Sequence, residues 1–212
     1  SIGRHQYIHK DIHQEICYSN KIAIVRRPTG GRAVFHEREL TYSVIIPPNN
    51  ELGNKNIQET YRTISGAILA GLRNYGLPVT AEPTNKANRE YIKNLSCFAS
   101  TTQYEITLNG QKVVGSAQWR NKGTVLQQGS ILLSKTMDPT PCFPAHGFLQ
   151  SGIEELIDNY IDINILSNSI QHGFSSTFGV EMSPWQEDSI FSQKANHLML
   201  NKYQTQEWLN LY

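Results

Sequence analysis

Two hairpin signals, each beside a run of apolar residues, place the strongest limit on the fold of this chain. Asn109-Gly110 follows an alternating run that ends at Leu108, and Asn121-Lys122-Gly123 leads into a further apolar run from Val125. An Asn-Gly pair readily adopts the positive φ angles that a two-residue hairpin requires. Residues 103–133 are therefore predicted to form an antiparallel meander of three strands.

Helical periodicity dominates the regions on either side of this meander. Ile57, Ile64 and Leu72 belong to a series of apolar residues spaced by three or four positions, which is typical of a helix with one buried face. The predicted helices cover residues 54–75, a short stretch around Ile153, residues 165–178 and residues 190–203. We therefore expect an α+β fold, in which a mixed, mostly antiparallel sheet packs with helices and residues 140–212 form a helical C-terminal part.

Shorter elements are predicted elsewhere. Ile12 and Ile16 are spaced as on one face of a helix over residues 11–18. The apolar, β-branched run at 21–27, closed by Pro28, is typical of a buried strand. Further strands are predicted at residues 33–36, 40–47 and 79–81, and the polar residues 82–96 are expected to form a surface excursion.

Charge and composition exclude several classes of protein. The 19 Lys and Arg residues against 18 Asp and Glu residues leave a net charge of +1, whereas a nucleic-acid or anionic-membrane binder usually has a basic excess. No apolar run approaches the ~20 residues that span a bilayer. The three cysteines are far apart and form neither a disulfide framework nor a metal-binding pair, so we expect a reducing, cytoplasmic location.

The loop from Arg26 to Arg32 is a candidate ligand-binding element. Gly30 and Gly31 allow the backbone to approach a ligand closely, and the three nearby arginines favour an anionic or carbonyl-rich ligand. The same composition also fits a β-turn with solvated arginines, because the spacing matches neither the P-loop nor the dinucleotide-binding glycine motif. His36, shortly after the loop, is the histidine best placed to face a ligand.

Cys97 and Lys112 are a candidate nucleophile and its activator. A lone cysteine is more often a small buried hydrophobe, and a lysine next to a hairpin is most often exposed. The run Gly115-Ser116-Ala117 would nevertheless leave a shallow strand face for a ligand chain. An ammonium close to Cys97 would favour the thiolate over its free pKa of ~8.5. Cys17 and Cys142 have no constellation of polar residues around them that would suggest a reactive site, and both are predicted to be packing residues.

Two other pairs of residues receive structural interpretations. His9 and His13 are spaced as zinc ligands are on a helix, but no third ligand accompanies them, so no metal site is expected. Trp185 and Trp208 are predicted to anchor the core of the C-terminal part.

Seven motifs occur in order along the chain. They are R-R-P-T-G-G-R-A-V-F-H at 26–36, E-L-T-Y-S-V at 39–44, C-F at 97–98, Y-E-I at 104–106, K-V-V-G-S-A-Q at 112–118, Q-Q-G-S-I-L at 127–132 and K-Y-x-T-x-E-W at 202–208. Together they closely resemble the lipoate/octanoate branch of the biotin/lipoate protein ligase superfamily, and within it the octanoyltransferases of the Bacillus-type LipM group. The resemblance covers essentially the whole chain.

This resemblance implies transfer of an octanoyl group from acyl carrier protein to a lysine of a lipoyl domain, with the glycine cleavage H protein as the usual first acceptor. Cys97 matches the cysteine that carries the acyl group, and Lys112 matches the lysine that lowers its pKa. The substrate-binding residues implied are Arg27, Gly30, Gly31, Arg32, His36, Gly115, Ser116 and Ala117. Neither a cofactor nor a metal is expected.

Three alternatives stay open. An ATP-dependent lipoate–protein ligase, which would use ATP and Mg, usually has a third glycine in the loop and H-x-L-G-N after it; here Arg32 takes the glycine's place and Glu37 follows His36, although the opening Gly3-Arg4-His5-Gln6 is ligase-like. An amidotransferase between lipoyl-domain proteins would also use a cysteine. A degenerate lipoyl-domain-binding module is the non-enzymatic alternative, against which the intact pair of Cys97 and Lys112 argues.

The resemblance also implies how the chain is organised. Residues 1–212 are expected to form a single catalytic domain that begins at Ser1 without the N-terminal strand and helix of its relatives. The expected consequence is an uncovered sheet face or edge.

Overall fold

The structure, a computed structural model, describes residues 1–82, 104–143 and 151–212. Its helices are α1 (Ile8–Asp11), α2 (Gln14–Ser19), α3 (Glu51–Asn54), α4 (Ile57–Asn74), α5 (Ile153–Ile157), α6 (Ile163–Phe178), α7 (Ser189–Leu198) and α8 (Gln206–Leu209). Its strands are β1 (Arg38–Ile46), β2 (Thr80–Glu82), β3 (Glu105–Leu108), β4 (Gln111–Lys112), β5 (Val114–Asn121) and β6 (Thr124–Ser134). The predicted α+β class is confirmed.

The main sheet consists of β1, β6 and β5 in that order, all antiparallel. Lys122 and Gly123 join β5 to β6 with φ angles of 46° and 83°, as the predicted hairpin requires. Alternate residues of the sheet, such as Tyr42 and Ile131, face the larger core cluster. The intervening residues face the opposite side, which the N-terminal segment, residues 1–36, covers in part.

A smaller sheet contains β2, β3 and β4. The predicted turn at Asn109-Gly110 joins β3 to β4, and both residues have positive φ angles. The predicted single meander is wrong in one respect, because the chain leaves this sheet at Val113 and enters the main sheet as β5. Val113 bonds to both sheets: its N–H donates to the Ile106 carbonyl at 3.1 Å, and its carbonyl accepts from the Leu132 N–H at 3.1 Å.

Helices α4 and α6 pack against each other over the inner face of the main sheet. Helix α4 begins after Asn56, whose side chain accepts from the Glu59 N–H at 2.9 Å. The two helices approach so closely that a Cβ on Gly173 would lie 2.3 Å from the Ala67 carbonyl oxygen. Among the helices that the structure describes, none is both long and apolar enough to cross a membrane.

The expected helix over residues 11–18 is confirmed from residue 14 onward as α2 and is wrong at its start, because a break separates α2 from α1. Ile12 is extended and buried at this break. The N–H of His13 donates to the Cys142 carbonyl at 2.8 Å rather than to the preceding turn. A tertiary contact has therefore taken the hydrogen bond that would have continued the helix.

The predicted strands at 21–27 and 33–36 are wrong, because each segment has a single bridge residue, Arg26 and Ala33, and no strand. Arg26 forms an isolated parallel bridge with Ile2, and Val25 is 47% exposed. Ile22 and Ile24 pack on a second, smaller core cluster without joining a sheet. Apolar side chains in this segment are therefore covered by loops and short helices, and a strand ladder is not needed.

The C-terminal part is tied to the N-terminal segment by Arg26. Its buried guanidinium donates to the Leu209 carbonyl at 2.7 Å, and the Trp208 indole N–H donates back to the Arg26 carbonyl at 2.8 Å. The prediction that Trp208 is a core anchor is therefore confirmed. The same prediction for Trp185 is wrong, because 65% of that residue is exposed and its ring contacts Phe191.

Candidate active site

A cleft lies between the outer face of the main sheet and the N-terminal segment. It encloses about 350 Å³ when the open space at its mouth is included. Its lining residues are Ser1, Arg27, Val34, His36, Thr41, Gly115, Ser116, Ala117, Gln128, Gly129 and Ser130. The structure therefore brings together five of the residues that the resemblance assigns to substrate binding, from segments far apart in the sequence.

Strand register explains why the floor of the cleft is shallow and is built from small side chains. Ser130 pairs with Thr41 on one side and with Gly115 on the other, so these residues share the outer face of the sheet. Gly115 and Ala117 project little or nothing from this face. The hydroxyl of Ser116 points to the opposite face, where it accepts a hydrogen bond from Tyr42 Oη at 2.6 Å.

The absence of a side chain at Gly129 allows Tyr42 of β1 and Gly115 of β5 to pack closely on β6 beneath the cleft. A Cβ at this position would lie 2.4 Å from the Gly115 carbonyl oxygen and 2.5 Å from Tyr42 Cε1. Burial raises the pKa of Tyr42, so its hydroxyl stays protonated and donates to Ser116. The glycine thus permits the aromatic ring to support the cleft floor from the core side.

Arg27 forms one wall of the cleft. Its guanidinium donates to the carbonyls of Gly30 at 2.9 Å and Arg32 at 2.6 Å, and to the Ser1 carbonyl at 3.1 Å. Because Arg26 and Arg27 are both buried, the alternative of a turn with solvated arginines is wrong.

The other loop residues do not line the cleft. Gly30 and Arg32 position Arg27 through the carbonyls just described. Gly31 has a φ angle of 89° and lies so close to Gly3 that a Cβ on Gly3 would lie 1.9 Å from the Gly31 carbonyl oxygen. The positive φ angle therefore favours glycine at position 31, and the close approach of the loop favours glycine at position 3.

Ser1 and Thr41, which the sequence analysis did not identify as site residues, complete the rim of the cleft. Ser1 Oγ lies 2.6 Å from His36 Nε2, and His36 Nδ1 lies 2.6 Å from Glu39 Oε1. Glu39 also accepts hydrogen bonds from Thr41 Oγ1 at 2.8 Å and from Ser130. Alternation along the predicted strand at 40–47 could have placed Thr41 on the outer face of the sheet. No local sequence pattern could have shown that Ser1 lies beside His36.

Lys112 is held by an ion pair in the smaller sheet. Its Nζ donates to Glu105 Oε1 at 2.7 Å, with the lysine side chain 7% exposed and that of the glutamate 0% exposed. The alternative of an exposed hairpin lysine is therefore wrong. Cys97, the residue that Lys112 is expected to activate, lies outside the described residues.

The fold and the cleft define a catalytic domain in which a sheet presents small residues to an arginine- and glycine-containing loop. A family model described as the lipoyl protein ligase A/B catalytic domain matches residues 1–144. The chain therefore belongs to the lipoyl protein ligase A/B catalytic domain family, as the motifs predicted.

Similar proteins narrow this assignment. The chain is 35% identical to the octanoyltransferase LipM of Bacillus subtilis (strain 168) over 225 residues, which cover 98% of this chain and 81% of the relative. It is 38% identical to the octanoyltransferase LipM of Clostridioides difficile (strain 630) over 223 residues, with the same two coverages. The expected resemblance to LipM-type proteins is confirmed.

Solved structures show the same fold at lower identity. A lipoate-protein ligase A bound with ATP superimposes with a TM-score of 0.78 at 23% identity, covering 100% of this chain and 81% of the other. A bipartite lipoate protein ligase from Thermoplasma acidophilum gives a TM-score of 0.78 at 21% identity, covering 100% and 80%. At these identities the solved structures show only that the fold is shared. The evidence on activity comes from the sequence relatives described above.

Proposed function

We propose that this chain is a protein octanoyltransferase of lipoate assembly. It moves an octanoyl group from acyl carrier protein to a lysine of a lipoyl-domain protein, such as the glycine cleavage H protein, through an acyl-cysteine at Cys97. The observation that carries the proposal is the identity of 35% to a LipM octanoyltransferase over 98% of the chain.

The chemistry of the cleft supports this activity. Burying an octanoyl chain at about 0.8 kcal/mol per CH₂ would supply several kcal/mol of binding without any charge on the ligand. The small residues Gly115 and Ala117 leave room for such a chain along the sheet. Arg27 and His36 place polar groups at one end of the cleft, where a carbonyl group would be recognised.

The reaction needs no cofactor. Exchange of one thioester for another is nearly isoenergetic, so the carrier-bound acyl group can pass to a cysteine without ATP, and a thiolate is the natural nucleophile. Lys112 would supply the positive charge that favours this thiolate, and Glu105 would hold its ammonium in place. A reducing cytoplasm fits the other two cysteines, Cys17 and Cys142, which are free thiols.

Intact-mass spectrometry after incubation with octanoyl acyl carrier protein tests the mechanism. The wild type should gain one octanoyl group without ATP, and Cys97→Ser should gain none as a thioester. Cys142→Ser is the matched control, since that buried thiol packs in the smaller core cluster and should leave the adduct unchanged. No wild-type adduct, or an undiminished one in Cys97→Ser, would end the acyl-cysteine proposal.

Two further measurements separate the alternatives. Lysine modification of a lipoyl domain that requires ATP and Mg would support the ligase instead. An octanoyl group taken only from another lipoyl-domain protein would support the amidotransferase. For Lys112→Ala, acylation should be slow at neutral pH and recover in part in alkali, where the thiolate forms unaided; an unchanged pH profile would exclude the activating role.

A further inference from the structure

Ser1, His36 and Glu39 form a hydrogen-bonded chain of hydroxyl, imidazole and carboxylate at the rim of the cleft. In many hydrolases this order of groups prepares the imidazole to accept a proton from a nucleophile. The octanoyl transfer proposed above gives none of these three residues a chemical step, although its amide-forming half-reaction must release a proton.

Hydrogen bonds determine which ring nitrogen of His36 is the acceptor. Burial acts to raise the pKa of Glu39, but the contacts of its carboxylate with His36, Ser130 and Thr41 outweigh burial and lower it. The carboxylate is therefore ionised and holds the His36 proton on Nδ1. Nε2 is then the acceptor in this tautomer, and it lies 2.6 Å from the Ser1 hydroxyl, which is able to donate to it.

Access to Nε2 comes from two sides. His36 lines the cleft, and its side chain is also 41% exposed to solvent, so a group arriving from outside can meet the imidazole at the cleft mouth. Within the described part of the chain, the charged groups near this rim include Glu39 from β1, Arg27 from the N-terminal segment and the ammonium of Ser1, which donates to the Val34 carbonyl at 2.7 Å. The Arg27 guanidinium donates to Ser1 Oγ at 3.3 Å.

The amide-forming half-reaction needs such an acceptor. The lysine amine of the lipoyl domain attacks the acyl carbonyl, a C–N bond forms, the C–S bond breaks, and the cysteine leaves as a thiolate. The attacking nitrogen must lose one proton in this step, and a thiolate stabilised by a neighbouring ammonium is a poor acceptor for it.

We propose that His36, held by Glu39, is the general base of this step and takes the proton of the acceptor amine on Nε2, where the Ser1 hydroxyl now lies. The role rests on the proposed function, because it concerns the second half of that reaction. His36 is then a catalytic residue, and Glu39 is a positioning residue that sets the tautomer and orientation of the ring.

The experiment follows the two half-reactions separately by intact mass. Acylation is measured with octanoyl acyl carrier protein alone, and the acyl-enzyme is then isolated and mixed with an excess of lipoyl domain. His36→Asn keeps a donor for Glu39 but removes the base, so amide formation should slow by about 10²–10⁴-fold while acylation stays close to the wild-type rate. His172→Asn, an exposed histidine on α6, is the matched control and should change neither rate.

Chemical rescue distinguishes a base from a purely structural residue. Free imidazole should restore a large part of the amide-forming rate in His36→Ala and should have little effect on the wild type. Glu39→Gln should slow the same step less than His36→Asn does, since the imidazole remains present but is no longer fixed. Circular dichroism checks that each variant is folded. Because imidazole can restore activity only to folded protein, a rescued rate is itself evidence of folding.

The outcomes separate the two proposals. A wild-type rate of amide formation in His36→Asn, or His36→Ala that folds but is not restored by imidazole, would overturn the base while leaving octanoyl transfer intact. If the wild type modifies the lipoyl domain without any acyl-cysteine, both the Cys97 step and the base assigned to its second half are overturned. A wild type that transfers no octanoyl group at all overturns both.

Discussion

Lys112 Nζ and Glu105 Oε1 lie 2.7 Å apart in a part of the small sheet where neither side chain has appreciable contact with solvent. Removing one member of a buried ion pair leaves the other charge without its partner, at a cost of about 3–5 kcal/mol. We therefore expect Glu105→Gln to lower the free energy of unfolding by this amount, measured by denaturant titration. The double variant Glu105→Leu with Lys112→Met should lose much less, and equal losses in both would contradict the ion-pair explanation.

Gly129 is expected to tolerate no side chain. An added Cβ would approach both the Gly115 carbonyl and the Tyr42 ring, so Gly129→Ala should cost about 1–3 kcal/mol of unfolding free energy. Gly66, on α4, is the matched control, because nothing lies within 4 Å of a Cβ there. Gly66→Ala should stabilise the protein by about 0.5–1 kcal/mol through helix propensity, and a similar loss in both variants would show that the crowding at Gly129 relaxes.

Arg26 should be essential for holding the two ends of the chain together. Its guanidinium donates to carbonyls of the N-terminal segment at Gly3 and Gln6 and of the C-terminal part at Leu209. Each buried carbonyl left without a donor costs about 1–3 kcal/mol, so Arg26→Met should destabilise the protein by more than about 3 kcal/mol. Arg62→Met, an exposed arginine on α4, should cost far less. Hydrogen exchange should show faster exchange near both ends in Arg26→Met.

Acid should weaken the contact between β1 and α5. The paired hydrogen bonds from Arg38, at 2.8 and 3.1 Å, lower the pKa of Glu154, and burial opposes them only in part. Because the folded-state pKa lies below the unfolded one, the contribution is present above about pH 4.3 and is lost as the pH falls through the folded-state pKa. Glu154→Gln should therefore show a shallower loss of stability in acid than the wild type, and Glu181→Gln should not. Parallel curves for Glu154→Gln and the wild type would contradict this.

Cys17 should be inert toward alkylation in the folded protein. Burial is the main reason that the pKa of this thiol rises to about 12, and the neighbouring Cys142 adds to the effect. Iodoacetamide at pH 8 should leave both cysteines unmodified, as peptide mass mapping can show, whereas the protein unfolded in guanidinium should be modified at both. Rapid native labelling of Cys17 would contradict the packing interpretation.

Local chemistry was sufficient for some of the elements that build the site. Asn109-Gly110 predicted its hairpin because few residue pairs accept two positive φ angles in succession. The apolar spacing before Gly76 predicted α4 to within three residues at its start and one at its end. The motif containing Gly115 and Ala117 identified the strand under the cleft, although no pattern within it could show that Ser116 turns its hydroxyl to the core.

Other elements could not be predicted because distant residues decide them. The break at Ile12 depends on the Cys142 carbonyl, and the absence of a strand at 21–27 depends on which loops cover Ile22 and Ile24. Trp185 is exposed and, within the described part of the chain, belongs to none of the core clusters, which the composition of its segment does not reveal.

The sequence by itself determined the family, the hairpins, the longest helix and the identities of the residues with reactive groups, since these depend on motifs and on short-range backbone preferences. The tertiary structure alone decided which of those residues meet. Lys112 is buried on Glu105 and not exposed, and Ser1 reaches His36 across 35 positions of sequence. Hydrogen bonds and ion pairs of this kind depend on distances between segments, and the fold sets those distances only when both core clusters are packed.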